Sequence, residues 1–148
     1  MQVFITAPSF EESAHNLDSL RMNKQIMECN QIYRAIKGET DGWKNHCITR
    51  LWWDYPEELM MFSNDCYWEL TRRGRNPVKP YKFMPYYRPN KSQLPHFMKL
   101  DWWLSAMRSH LLAKEYEHYQ QFGWGVDPVH GYYAINKYGD WQKYSVRK

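Results

Sequence analysis

Between Arg21 and Ile36 the chain sets one carboxylate, Glu28, among donor-rich side chains: Arg21, Lys24 and Gln31. At about 100° per residue these four gather on one side of a helix, and Met22, Ile26, Cys29, Tyr33 and Ile36 gather on the other. The apolar side is a core stripe. The polar side admits two readings. A carboxylate ringed by cationic and amide groups can act as a general acid, a base or an electrostatic stabiliser. The same residues also make an ordinary solvated ion pair, a common and weak feature of exposed helices. A compact GETDGWKNH turn follows and ends in Asn45-His46. Asn45 can cap a helix starting at Cys47, with His46 near its first turn; alternatively, that helix start offers donors to a phosphate or a displaced base.

The rest of the chain must hold this helix in place. The opening MQVFIT reads as a short extended segment, and Pro8-Ser9 marks its boundary. Helical periodicity covers residues 10–36, with a break at Asn16-Leu17-Asp18. A second helix spans 47–53, and Pro56 suits the first position of a third. Leu59, Phe62, Cys66 and Leu70 give that helix a buried stripe reaching to about Arg73. The six prolines or glycines of residues 74–95 make a loop. Helix resumes from His96 through Leu100, Trp103, Met107 and Leu111, with a shorter piece over 115–122. From Gly123 the spacing of Gly and Pro predicts an irregular tail. The fold class is mainly α: one compact helical domain over residues 1–148, with long aromatic and basic loops.

The chain has 148 residues, enough for one domain with a modest core. It carries a net charge of +4 and is 18% aromatic, with eight Trp and twelve Tyr. Yet its mean hydropathy is −0.83. Much of that aromatic content must be core, and the remainder is free to stack on bases. The charge is concentrated. Arg72, Arg73, Arg75, Lys79, Lys82, Arg88 and Lys91 lie in a stretch without Asp or Glu that also holds Tyr81, Phe83, Tyr86 and Tyr87. Cations interleaved with aromatics on a loop suit a phosphate backbone with exposed bases, so the pattern points to nucleic acid rather than a plain solvated linker. On the helix after residue 100, His110 and Lys114 share a face at i,i+4 and are further contact candidates, and Lys137, Lys143, Arg147 and Lys148 extend the basic footprint.

Cys29, Cys47 and Cys66 form no CxxC and leave an odd count, which suits reduced thiols in the cytoplasm. Neither a signal peptide nor a membrane-length apolar run is present. The six histidines show no metal-ligand spacing. No Walker or GxGxxG sequence calls for a nucleotide cofactor. The expectation is a monomeric protein with no metal and no cofactor.

Met27-Glu28, Lys37-Gly38-Glu39-Thr40 and Gly42-Trp43-Lys44-Asn45-His46 resemble, in order and spacing, the early part of the pyrimidine-dimer DNA glycosylase family of phages and bacteria. The stretch from Glu69 through Arg72, Arg73 and Arg75 to Asn76 is similar to that family's basic helix end. The stretch from Arg108 to Trp124, with Lys114, His118-Tyr119 and Phe122-Gly123-Trp124, is similar to its closing helix and aromatic tail. The resemblance implies excision of a damaged pyrimidine from duplex DNA by attack at the sugar C1′, without metal or cofactor. It assigns Glu28 to stabilising the developing positive charge, puts the helix's basic residues on flanking phosphates and favours Asn45-His46 as donors; with the spacing and charge pattern above, the candidate DNA contacts are Arg21, Gln31, Asn45, His46, Arg72, Arg73, Arg75, His110 and Lys114. In the family a chain-terminal amine forms a Schiff base, and strand cleavage follows by β-elimination.

Here the second residue is Gln2, too large for Met1 removal, where well-known phage members expose a small residue. Three nucleophiles stay open: the Met1 amine, Lys24 one turn from Glu28, or water activated by Glu28 without lyase chemistry. α-Amines carry reference pKa values of about 7.7–8.0 against about 10.4 for lysine, which makes a chain terminus a sensible Schiff-base former at neutral pH. Position 27, where the family often has a basic residue, is Met. Two other classes fit the same residues: a non-catalytic nucleic-acid-binding protein on this fold, and a glycosylase for another modified base.

Overall fold

The computed structural model describes residues 1–85 and 93–145; Tyr86, Tyr87, Arg88 and Lys91 of the basic stretch, and Arg147 and Lys148 of the tail, lie outside them. Six α-helices and one two-stranded hairpin are present among the described residues. The break at residues 16–18 is real. Helix α1 (Phe10–Asn16) ends before Leu17, and α2 (Ser19–Ile36) starts on Asp18, whose carboxylate caps the Arg21 N–H at 3.2 Å. Helix α2 closes on Gly38 at φ 76°, with Gly38 N–H bonded to Ala35 O and Glu39 N–H to Arg34 O. That double bond to the last turn needs a left-handed residue, which glycine adopts without a Cβ clash.

Helix α3 (Cys47–Trp52) is short. Helix α4 (Pro56–Arg72) begins on the proline, as its missing N–H allows. Helix α2 packs along α4, and α1 crosses the same helix. Their interface holds Met22, Ile26, Cys29, Ile32, Leu59, Phe62 and Cys66, all fully buried. All three cysteines are buried and free, and burial pushes the Cys29 and Cys66 thiols up, away from reactive thiolate. A single 3-10 turn (His96–Lys99) leads into α5 (Asp101–Lys114), followed by α6 (Tyr116–Tyr119).

The tail corrects the expectation of irregular structure. Strands β1 (Tyr132–Ile135) and β2 (Trp141–Tyr144) pair antiparallel, with Tyr132 opposite Tyr144 and their rings stacked at 5.5 Å. The strands, Tyr-Tyr-Ala-Ile and Trp-Gln-Lys-Tyr, flank an Asn-Lys-Tyr-Gly turn, a hairpin signal that dense Gly and Pro on its N-terminal side obscured. Ala134 and Tyr132 face the body, β1 contacts α3 and α5, and Trp103 Nε1–H donates to Tyr133 O at 3.0 Å. The aromatic core is also smaller than composition suggested. Trp52 and Trp103 are fully buried, whereas Trp43, Trp53, Trp68 and Trp102 are exposed. Phe83, tilted against Trp68, and Tyr133 and Trp141, edge-to-face with Trp102, partly cover these two rings.

The first seven residues form an extended segment with no strand beside it. Val3 and Ile5 are fully buried, so their backbone needs hydrogen-bond partners away from water. Side chains supply them. Phe4 N–H donates to Gln25 Oε1 at 2.7 Å, Thr6 and Ala7 N–H to Ser13 Oγ, and Thr6 O accepts from Arg108 Nε at 2.7 Å. The segment is thereby laid against α1, α2 and α5, with its first residue at the opening of a cavity.

Candidate active site

The cavity lies between the N-terminal segment, the first three turns of α2, the end of α5 and the hairpin. Its volume is ≈ 460 Å³, inside the range of about 300–1,000 Å³ typical of ligand sites. Met1, Arg21, Lys24, Glu28, His110 and Lys114, each singled out from sequence, line it together. Residues far apart in the chain thus meet around one carboxylate. Lys24 and Lys114 are exposed, while Met1, Arg21 and Glu28 are half-buried.

Glu28 is held from two sides. Its Oε2 accepts from the backbone N–H of Gln2 at 3.2 Å and from Gln25 Nε2 at 3.2 Å. The first of these bonds fixes the chain one residue from the Met1 amine. The site's cations shape one another as well. Lys114 is exposed, yet partial desolvation of its ammonium at the cavity wall holds it below the ordinary lysine range, with Arg21 and Lys24 adding to the effect and Glu28 opposing it. At the rim, Asp18 receives Arg21 Nη1 at 3.1 Å and the Tyr119 hydroxyl. Burial alone would raise the Asp18 carboxyl, but the Tyr119 and Arg21 bonds outweigh it and the net displacement is downward.

His110 is neutral. It is 1% exposed, stacks on Phe4 at 5.7 Å, and accepts the Gly131 N–H on Nδ1 at 2.9 Å, which leaves the proton on Nε2. Burial, then Lys114, His130 and Arg21, push its pKa from 6.5 down to about 4. A depressed histidine stabilises the fold above the unfolded pKa, and the contribution is lost as pH falls from 6.5 toward 4, where the unfolded chain binds a proton that the folded one refuses. At about 1.4 kcal/mol per pH unit this amounts to about 3 kcal/mol. Urea midpoints should therefore drop for the wild type between pH 6.5 and 4, and much less for His110→Asn; parallel curves would remove His110 as the cause. Losses at the lowered carboxylates Asp18 and Glu69 fall mainly below that window.

Other sequence-predicted residues sit elsewhere. Gln31 is exposed further along α2 and does not line the cavity. The α3 cap is His46 rather than Asn45: its Nδ1 accepts the Ile48 N–H at 3.1 Å. Burial, then the Met1 amine and Arg50, lower the His46 pKa, so its ring lies within electrostatic reach of the chain start. Asn45 accepts from Arg50 Nη1 on its backbone oxygen and lines a second, open groove with Arg50, Asn136, Lys137, Tyr138, Gln142 and Tyr144. Trp43, in the turn between, is exposed and adopts φ 66°, a left-handed conformation that costs a non-glycine residue about 1–2 kcal/mol.

At the end of α4 the structure divides the three arginines. Arg73 donates to Glu69 at 3.0 Å, to Leu17 O and His15 O at 2.9 Å, and to Ser19 Oγ at 3.0 Å. Its guanidinium ties α4 to the α1–α2 junction. Arg72 forks onto the same Glu69 from a more exposed position, and Arg75 is exposed with no ion-pair partner among the described residues. The loop beyond is ordered by asparagines: Asn23 binds Val78 N–H, Asn30 binds Tyr81 N–H and Lys79 O, and Asn64 binds Lys82 O and Met84 N–H. Lys82 pairs with Glu57 at 3.1 Å, so a stretch lacking acids of its own still finds them on neighbouring helices.

Sequence reasoning missed Gln25, Asp18 and Tyr132 as cavity residues. Gln25 had a signal: it lies at i−3 from Glu28, on the boundary between the polar and apolar faces of α2.

No curated protein and no solved structure matches the chain. The family model described as pyrimidine dimer DNA glycosylase matches residues 1–83, which include the N-terminal segment, all of α2 and α4, and the Glu28 wall of the cavity. That match covers more than half of the 148 residues, and the chain belongs to the pyrimidine dimer DNA glycosylase family.

Proposed function

We propose that this protein excises pyrimidine dimers from duplex DNA and then cuts the strand as a lyase, with the Met1 α-amine as nucleophile and Glu28 as its electrostatic partner. The observation that carries the reading is the 3.2 Å bond from Gln2 N–H to Glu28 Oε2, which holds the chain start beside the carboxylate in a cation-lined cavity. An amine lone pair attacks C1′ of one nucleotide of the dimer, the C1′–N bond breaks, and the base takes the bonding electrons and a proton while the cyclobutane ring keeps it tied to the neighbouring pyrimidine. The amine loses a proton, O4′ is protonated as the sugar ring opens, and a C1′ iminium results. Removal of a C2′ proton then expels the 3′-phosphate by β-elimination. Glu28 stabilises the positive charge at C1′ and at the iminium. Arg21, Lys24 and Lys114 neutralise phosphates flanking a nucleotide displaced from the stack. One chain supplies every group in this scheme.

Borohydride added during turnover on a duplex with a single cyclobutane dimer should trap a covalent protein–DNA adduct that maps to the N-terminal peptide. An alkali-labile abasic site formed without an adduct would replace the amine by water, and an adduct on the Lys24 peptide would move the nucleophile to α2. Neither release nor nicking, on this lesion or a panel of others, would leave a non-catalytic binding protein. Release only from another modified base would keep the enzyme and change its substrate.

Affinity should be steeply salt-dependent. Arg75→Ala should flatten the slope of log K against log salt by about 0.9, the value of one lost phosphate contact. Arg73→Ala should instead lower the urea midpoint, because its bonds are internal. Anisotropy titrations between about 50 and 200 mM salt read both, and an unchanged slope for Arg75→Ala would take this corner off the DNA.

A further inference from the structure

Gln25 makes no contact with solvent, being 0% exposed, and every polar atom of its carboxamide is engaged. Its Oε1 accepts the Phe4 N–H at 2.7 Å. Its Nε2 donates twice, to Gln2 O at 2.6 Å and to Glu28 Oε2 at 3.2 Å. Gln2 N–H donates to that same carboxylate oxygen. One rigid side chain on α2 therefore grips the extended segment at both of its first internal peptide groups and the carboxylate at once. The Gln2 side chain is held in turn, its Oε1 accepting the Val3 N–H at 2.8 Å. Besides the Gln2 N–H bond to Glu28, no other side chain on α2 holds the segment's backbone before Thr6 and Ala7, and no second strand runs beside it. A fully buried amide also has little freedom to choose other partners, since an unmade bond there costs about 1–3 kcal/mol.

From this we infer that Gln25 is a positioning residue: it sets the register of the N-terminal segment on α2, and so the placement of the Met1 amine relative to Glu28. The inference rests on the amine reading given above. Attack requires the nucleophile in a near-attack geometry, and a displacement of about 1 Å can cost about 10²-fold in rate. Gln25 touches neither DNA nor the reacting atoms in this scheme. Its influence should appear in the rate of the chemical step and not in affinity.

Gln25→Glu keeps an acceptor for Phe4 N–H and gives up both donations; Gln25→Met keeps the length and burial and gives up all three bonds. With the dimer-containing duplex at saturation, single-turnover trapping on the N-terminal peptide should fall on the order of 10–100-fold in both variants. The half-saturating DNA concentration should stay within about two-fold, and the pH–rate profile should change in Gln25→Glu, where a second carboxylate faces Glu28. Rates corrected for folded fraction separate this from a loss of stability. Wild-type trapping rates and an unchanged profile in the folded variants would overturn the inference while leaving the amine reading intact. A wild-type adduct that maps away from the N-terminal peptide would overturn both. If Gln25→Glu does not fold, Gln25→Met decides the matter by the same rate and affinity readings.

Discussion

Glu28→Gln should lower the excision rate by on the order of 10²–10³ while leaving affinity for the dimer-containing duplex the same or slightly tighter. The substitution preserves shape, and a Gln oxygen can still accept from Gln2 N–H or Gln25 Nε2. What it removes is the negative charge of Glu28 among Arg21, Lys24 and Lys114, while the carboxylates of Asp18 and Glu115 stay on the cavity wall. That charge matters most when C1′ becomes positive, so the loss falls on the transition state. Deleting an anion from a cation-lined wall can only favour a polyanion, which is why binding should not weaken. Single-turnover formation of alkali-labile sites beside equilibrium titration gives both numbers, and glycosidic cleavage at the wild-type rate would end the assignment of Glu28.

An extra residue placed ahead of Met1, or acetylation of its amine, should bring borohydride trapping to background. An acetylated amine has no available lone pair, and an added residue displaces the amine from the Glu28 side of the cavity. The fold should be unaffected, because the bonds that hold the segment begin at the Gln2 N–H and run through Phe4, Thr6 and Ala7. Equal thermal midpoints for blocked and free protein, together with retained duplex binding, would confine the effect to chemistry. An adduct that persists after blocking would hand the reaction to a lysine, with Lys24 first in line.

The helices were legible in the sequence because their signals are local. Asp18, Gly38 and Pro56 each terminate or start an element by chemistry contained within three residues. The stripe of Met22, Ile26 and Cys29 read as a core face for the same reason, and in the structure it is fully buried. The cavity was legible in part. Glu28, Arg21 and Lys24 share one helix, so their grouping follows from periodicity, and His110 with Lys114 likewise from theirs. Gln25 was not visible, because a buried amide reads as one more polar residue until its three partners are brought to it by tertiary folding. The three arginines at the end of α4 show the converse. Their spacing says that they are basic, but whether a guanidinium faces solvent or closes a helix junction depends on His15, Leu17 and Ser19, more than fifty residues earlier. The hairpin escaped notice because two four-residue strands bury only one face and carry no long periodic run.

Met1 and Ser145 line the same cavity, and that bears on when the site comes into being. During synthesis the carboxylate and the amine emerge first, and the α1–α2–α4 body has all its residues once position 72 is made. The opposite wall does not exist until α5 delivers His110 and Lys114 and the hairpin delivers Tyr132. A nascent chain thus carries its terminal amine and Glu28 for most of its translation without Lys114 and the hairpin that close the cavity. Assembly order leaves the cavity without its second wall until the hairpin is made, and a chain that stops short of it keeps its amine and carboxylate on an open face.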